Sequence, residues 1–200
     1  MATLLTALGV VFVAELGDKT QLVAMTFGAR HHLRQVIIGL AIAYLVSSGL
    51  AALIGGLLGA ALPGRALSIG GGIAFIGFAV FELLRASDDD ESEDEHDGEA
   101  LVEAAAGTAS SILRSPVVLI ALTVTVAELG DKTQLTTVTL AARSDPVLTW
   151  AGATLGLIAA GVLGALIGRQ LGDRLPHRTL SYVSAALFFI VGVIMITTAL

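Results

Sequence analysis

Cysteine is absent, which excludes disulfides and thiolate metal sites. Charge is scarce: Asp, Glu, Lys and Arg together make up 14% of the 200 residues. No histidine falls inside a long apolar run, which argues against an imidazole-bound zinc or copper centre. Neither a nucleophile–base arrangement nor a phosphate-binding loop is recognisable. An enzyme is therefore not expected, no catalytic residues are assigned and no cofactor is called for. Any pumping would draw on a gradient or a separate subunit. A basic stretch is also missing ahead of the first apolar run, which follows Met1-Ala2-Thr3, so a cleavable signal peptide is not expected.

What remains is apolar. Hydrophobic residues make up 55% of the chain and the mean hydropathy is +0.87. Six runs stand out: Leu4–Ala29, Val36–Leu62, Leu67–Leu84, Val117–Ala142, Val147–Ile167 and Leu180–Leu200. Each approaches or exceeds the ~20 residues that cross the ~30 Å hydrocarbon core of a bilayer. In lipid such a run must satisfy its own backbone hydrogen bonds, so all six are read as helices. The expected fold class is an all-α integral membrane protein with six transmembrane helices. The net charge of −6 comes largely from one place, since ten of the 17 acids lie between Asp88 and Glu103. A like-charge block of this kind reads as a solvated linker, with a weak divalent-cation sensor as the sharper alternative. The expected organisation is a unit over 1–86, an acidic linker over 87–115 and a second unit over 116–200.

The two units are copies. Glu15-Leu16-Gly17-Asp18-Lys19-Thr20-Gln21-Leu22 recurs residue for residue as Glu128-Leu129-Gly130-Asp131-Lys132-Thr133-Gln134-Leu135, 113 positions later. The same offset carries Arg30 to Arg143, Gly39 to Gly152, Leu53-Ile54-Gly55 to Leu166-Ile167-Gly168, Leu62-Pro63 to Leu175-Pro176 and Phe75 to Phe188. A unit of three spans ends on the opposite side of the membrane from its start. The second copy would therefore be inverted, an arrangement that places a transporter's site at the repeat interface near the midplane. Arg30, Arg34, Arg85, Arg114, Arg169, Arg174 and Arg178 would lie on one side and only Arg65 and Arg143 on the other. The richer side is expected to be cytoplasmic. In a cell (inner) membrane, the acidic loop would then be inside and both termini outside.

Acids within an apolar span are costly and by default mark a pathway. Read as continuous helix, Glu15 and Asp18 share a face, which Gln21 continues. Glu128, Asp131 and Gln134 repeat this from the other half. Gly17 and Gly130 would permit close approach or a local break. Four carboxylates with the hydroxyls of Thr20 and Thr133 would make a hard, oxygen-rich site suited to Mg²⁺, Ca²⁺ or Mn²⁺. Lys19 and Lys132 could pair with Glu15 and Glu128 one turn away, or tether to either aspartate; such pairing is the bland reading of the motif. Other features read more plainly. Glycines spaced by four, as in Gly55/Gly59, Gly152/Gly156 and Gly164/Gly168/Gly172, would let helices approach closely. Glu82 and Arg85 read as a surface pair, Trp150 as an interface anchor, and His31 and His32 as wet loop residues.

The doubled Glu-x-Gly-Asp-Lys-Thr resembles the signature of a family long called uncharacterised protein family sixteen. It includes the Golgi manganese and calcium transporters of eukaryotes and related chloroplast proteins, and is similar in plan to the lysine-exporter superfamily. The resemblance covers essentially the whole chain. It implies exchange of Mn²⁺ or Ca²⁺ for protons, with manganese export the emphasis in bacteria, and places the family's acidic residues on Glu15, Asp18, Glu128 and Asp131. The alternatives are an amino-acid exporter of the lysine type and a passive cation channel. Expected partners are a divalent cation, protons and the bilayer, with no nucleic acid; a homodimer is allowed by the sequence and not required.

Overall fold

The computed structural model describes residues 1–16, 18–87, 115–171 and 177–199. The regular structure among them is helical: α1 (Ala2–Glu15), α2 (Lys19–Arg30), α3 (Leu33–Ala61), α4 (Gly64–Ser87), α5 (Pro116–Glu128), α6 (Lys132–Arg143), α7 (Pro146–Leu171) and α8 (His177–Thr197). The first residues of α2, α3 and α4 recur 113 positions later as the first residues of α6, α7 and α8. The acidic block Asp88–Glu99 lies outside the described residues, as do Gly17, Gly172, Arg174 and the side chains of Lys19, Glu82 and Arg85.

Two of the six expected helices are not continuous. The run Leu4–Ala29 is divided into α1 and α2, and Val117–Ala142 into α5 and α6. The division falls inside the repeated motif both times. Leu16 and Leu129 leave the helix in extended conformation, and Asp18 and Asp131 restart it as N-caps, each with ψ of 163°. Short turns close both breaks. Leu16 and Asp18 donate backbone bonds to Val13 and Glu15, and Leu129 and Asp131 donate the matching bonds to Val126 and Glu128. Gly130 has φ of +81°, a left-handed conformation that glycine adopts without a Cβ penalty. This overturns the shared-face argument: the acids at 15 and 18, and at 128 and 131, lie on opposite sides of a break, not one helical turn apart.

By length and composition, two helices among the described residues can cross a membrane, Leu33–Ala61 and Pro146–Gln170; the other apolar helical stretches are shorter. Each long helix lies along the broken pair of the other half, running in the same direction. A Cβ on Gly39 of α3 would meet Ile120 of α5 at 2.7 Å, and Cβ atoms on Gly55 and Gly59 would strike the carbonyls of Val138 and Ala142 in α6. The matching side of α7 sets Gly152 on Leu4, Gly156 on Leu8, Gly164 on Gln21 and Gly168 on Met25. Side-chain-free positions thus allow backbone-to-backbone contact, as the glycine spacing predicts. The long helices cross each other antiparallel. Tyr44 meets Gly161 there, Ser48 Oγ lies 2.6 Å from Thr154 Oγ1, and Trp150 Nε1 donates to the Leu45 carbonyl. Trp150 is thus tied to a neighbouring helix.

The helices α4 and α8 form a separate antiparallel pair. Gly71 and Gly72 admit Met195, Ile196 and Gly192, and the Phe188 ring packs 5.7 Å from Phe75 and 5.9 Å from Phe78. Leu53 and Leu57 of α3, Leu122 and Val126 of α5 and Leu155 of α7 are exposed. An exterior of this kind suits hydrocarbon, which imposes no cost on exposed aliphatic side chains.

Candidate cation site

Acids flanking the two breaks come together, while Leu129 and Gly130 of the second break are exposed. Glu15 closes α1 with no exposed surface, and Asp18 opens α2 at 3% exposure; Glu128 closes α5 at 1%. One carboxylate oxygen each from Glu15, Asp18 and Asp131 lies within 4.8 Å of the others, so acids from both halves form one cluster. Glu128 joins it through Thr133, whose Oγ1 is 3.0 Å from Glu128 Oε2 and 3.3 Å from Asp131 Oδ2. The first half repeats that bond, Thr20 Oγ1 donating to Glu15 Oε1. Asp131 also caps its own helix, accepting from the Thr133 amide at 3.3 Å. Because each acid is the last residue of a helix or the N-cap of the next, the cluster stands among helix ends. Unpaired backbone groups and macrodipole charge concentrate there.

Lys132 reaches across to the other motif copy. Its Nζ lies 3.4 Å from Asp18 Oδ1, in the other half, and the side chain is only 7% exposed. The ion pair therefore bridges the two breaks. Gln21 is buried against the surface offered by Gly164. Gln134, expected to face the bundle centre, instead accepts the Gly130 amide through Oε1 at 2.6 Å. It secures the break from outside the cluster. His31 packs on Phe27 with a ring separation of 5.8 Å, away from the carboxylates.

The arrangement can hold a hard cation. Carboxylates and hydroxyls supply only oxygen, and burial excludes the competing water of a surface acidic patch. Among the described residues, Glu15 Oε2 and Glu128 Oε1 are buried and accept no hydrogen bond. Oxygens left this way in a low-dielectric interior are costly without a cation, proton or water to face. Sequence reasoning overlooked Tyr44 and Ser47 of α3, both fully or almost fully buried, whose hydroxyls likewise have no hydrogen-bond partner. The signal available was that neither is repeated: positions 157 and 160 hold Leu157 and Ala160.

Comparisons with known proteins agree with this chemistry. The profile of the family described as "Divalent cation/proton antiporter GDT1" matches residues 3–90 and 116–200, omitting only the linker region and the first two residues. A protein of Vibrio cholerae named "Putative manganese exporter" is 30% identical over 195 residues, covering 96% of this chain and 89% of the relative. A GDT1-like protein of Synechocystis is 28% identical, covering 97% of both chains. Protein PAM71 of Arabidopsis thaliana, a chloroplast protein, is 32% identical over 93% of this chain, which spans 54% of that longer relative. No solved structure matches. With a family profile spanning both helical units and both acidic motifs, the chain belongs to the GDT1 family of divalent cation/proton antiporters.

Proposed function

We propose that this antiporter exports Mn²⁺, with Ca²⁺ as the competing hard cation, through a chamber whose binding residues are Glu15, Asp18, Glu128 and Asp131. One observation carries the reading: acids from both motif copies form a single buried cluster at two helix breaks. Manganese is favoured by the name of the Vibrio relative. The cation is cargo, and the scheme needs no resident cofactor.

The architecture that supports exchange is a six-span bundle of two inverted three-span repeats, with 1–86 and 116–200 as the repeats and 87–115 as a cytoplasmic linker. Each broken helix counts as one span. The contacts favour inversion: α3 runs parallel to α5–α6 and α7 to α1–α2, while α3 crosses α7 and α4 crosses α8 antiparallel. Such a pattern arises when span two of one repeat points the same way as span one of the other. The termini are outside and the acidic loop inside, in the cell membrane.

Coupling follows from charge. By sequence the two motif copies carry four carboxylates against Lys19 and Lys132, a sum of −2 when all are ionised, and an uncompensated charge is costly in a membrane interior. One divalent cation neutralises it, and so do two protons. Both loaded forms can then reorient while the empty form cannot. The deciding experiment is flux in proteoliposomes under an imposed pH gradient, with Mn²⁺, Ca²⁺ and lysine offered in turn. Proton-coupled Mn²⁺ movement is expected. Lysine flux, or cation flux that moves no protons, would refute the proposal.

A further inference from the structure

We propose that Tyr44 and Ser47 of α3 form a neutral third wall of the cation chamber and supply oxygen ligands on which Ca²⁺ depends more than Mn²⁺ does. The proposal rests on the reading that the four acids hold the cation.

Hydroxyl groups on these helices usually return to the carbonyl one turn back, as Thr26, Ser48, Ser68, Thr123, Thr125, Thr136 and Thr137 do. Ser47 is 2% exposed, yet its Oγ makes no such bond and finds no other partner. Tyr44 has no exposed surface and its phenol oxygen is likewise unsatisfied. Buried polar groups in a folded protein are normally paired, so two orphans three residues apart call for a ligand.

Packing shows where they stand. Ser47 lies on the α3 row that contains Gly39 and Gly55. Gly39 contacts α5 at Val117 and Ile120, and Gly55 contacts α6 at Val138. Ser47, midway along that row, faces the interval between α5 and α6, where Glu128 ends one helix and Asp131 starts the next. Tyr44 points across to α7: a Cβ added to Gly161 would lie 2.8 Å from its hydroxyl. Tyr44 belongs to the buried core that also holds Val11 of α1, Val23 of α2 and Val124 of α5, the helices that end or begin at the acids. Glu15 Oε2 and Glu128 Oε1, at the ends of α1 and α5, are buried without a hydrogen bond as well.

The repeat isolates the feature. Tyr44, Ser47 and Ser48 answer to Leu157, Ala160 and Gly161 in the second half. Ala160, midway between Gly156 and Gly164, faces the break between α1 and α2 without a hydroxyl. Acids and threonine hydroxyls thus come from both halves, while at these matched positions the long helix adds hydroxyls in the first half alone. Ca²⁺ takes six to eight oxygens in flexible geometry, whereas six-coordinate octahedral oxygen sites suit Mn²⁺. Removing neutral oxygens should penalise the ion that needs more of them.

The experiment measures proton-driven Mn²⁺ flux in proteoliposomes with Ca²⁺ as competitor, for the wild type, Tyr44→Phe, Ser47→Ala and Glu15→Gln. In Tyr44→Phe and Ser47→Ala the Ki for Ca²⁺ is expected to rise about tenfold, the scale of one lost ligand bond, and the KM for Mn²⁺ to rise less. Adding Ala160→Ser to Ser47→Ala returns a hydroxyl to the opposite wall and should recover part of the Ca²⁺ inhibition. That recovery guards against a merely damaged fold. Unchanged Ki values, equal losses for the two ions, or no Ca²⁺ competition in the wild type would overturn the proposal. Glu15→Gln separates the failures: normal Mn²⁺ flux there would sink the acidic-site reading itself. An inactive Glu15→Gln beside unaffected Tyr44→Phe and Ser47→Ala would sink only this one.

Discussion

At the scale of the residue, the candidate site is a set of carboxylates, of which Glu15, Asp18 and Glu128 are buried. Glu15→Gln or Asp131→Asn removes one charge while preserving shape. Proton-driven Mn²⁺ flux is expected to fall to background in either variant while the purified protein keeps its helical circular dichroism and elution volume; wild-type flux would refute their role. That the motif's acids would face something polar was expected without coordinates, because acids inside an apolar run are costly otherwise; that each glutamate takes its hydrogen bond from Thr20 or Thr133 was not. The cross-half pairing of Lys132 with Asp18 was among the tethers the sequence left open and was not singled out. Spacing within one motif copy favours a partner one turn away, and the true partner depends on how two distant segments dock. Tyr44 and Ser47 escaped notice for a related reason, since a lone hydroxyl in an apolar helix usually satisfies itself on its own backbone.

At the scale of the element, the break is the unit that matters. An unbroken helix through Glu128 and Asp131 would place both side chains on one face and offer no helix ends. The left-handed Gly130 lets the chain turn there without strain. Replacing it by alanine meets no steric obstruction, because nothing lies within 4 Å of the added Cβ. The backbone conformation alone should cost about 1–2 kcal/mol. Gly130→Ala is thus expected to lower the thermal midpoint modestly and the transport rate severely, as α5 and α6 drift toward continuity. Comparing melting and flux on the same preparation checks this, and full activity would show that the break tolerates a side chain. Gly17 and Gly130 allowed a local break in each apolar run, but hydropathy alone did not decide between a break and the close approach of continuous helices. The glycine rows were read correctly, because Gly55, Gly59, Gly152 and Gly168 each meet a neighbouring backbone.

At the scale of the molecule, two outcomes test the proposed orientation and coupling. A cysteine replacing Ser92 should resist impermeant thiol reagents in intact cells, while one at Ala199 should react; the reverse pattern would invert the topology. Reversal potentials in proteoliposomes should fit two protons per divalent cation, with flux following ΔpH and little affected by voltage. A one- or three-proton fit would break the charge argument. The repeat was legible over most of its length, because a single ungapped offset of 113 aligns glycines, prolines and charges together. Which helices touch was not, since identical offsets are compatible with halves that pack side by side or interlock.

They interlock, and this has a consequence for assembly. Among the described residues, each broken helix packs mainly on the long, glycine-notched helix of the other repeat, α1–α2 on α7 and α5–α6 on α3. Cutting the gene between the repeats would therefore leave two fragments, each with an acidic break and no groove to receive it. Expressed singly, 1–87 and 115–200 should be cleared by proteolysis. Expressed together, they should rescue one another and copurify, because the joint between them is made by helix surfaces and the peptide linker serves only as a leash.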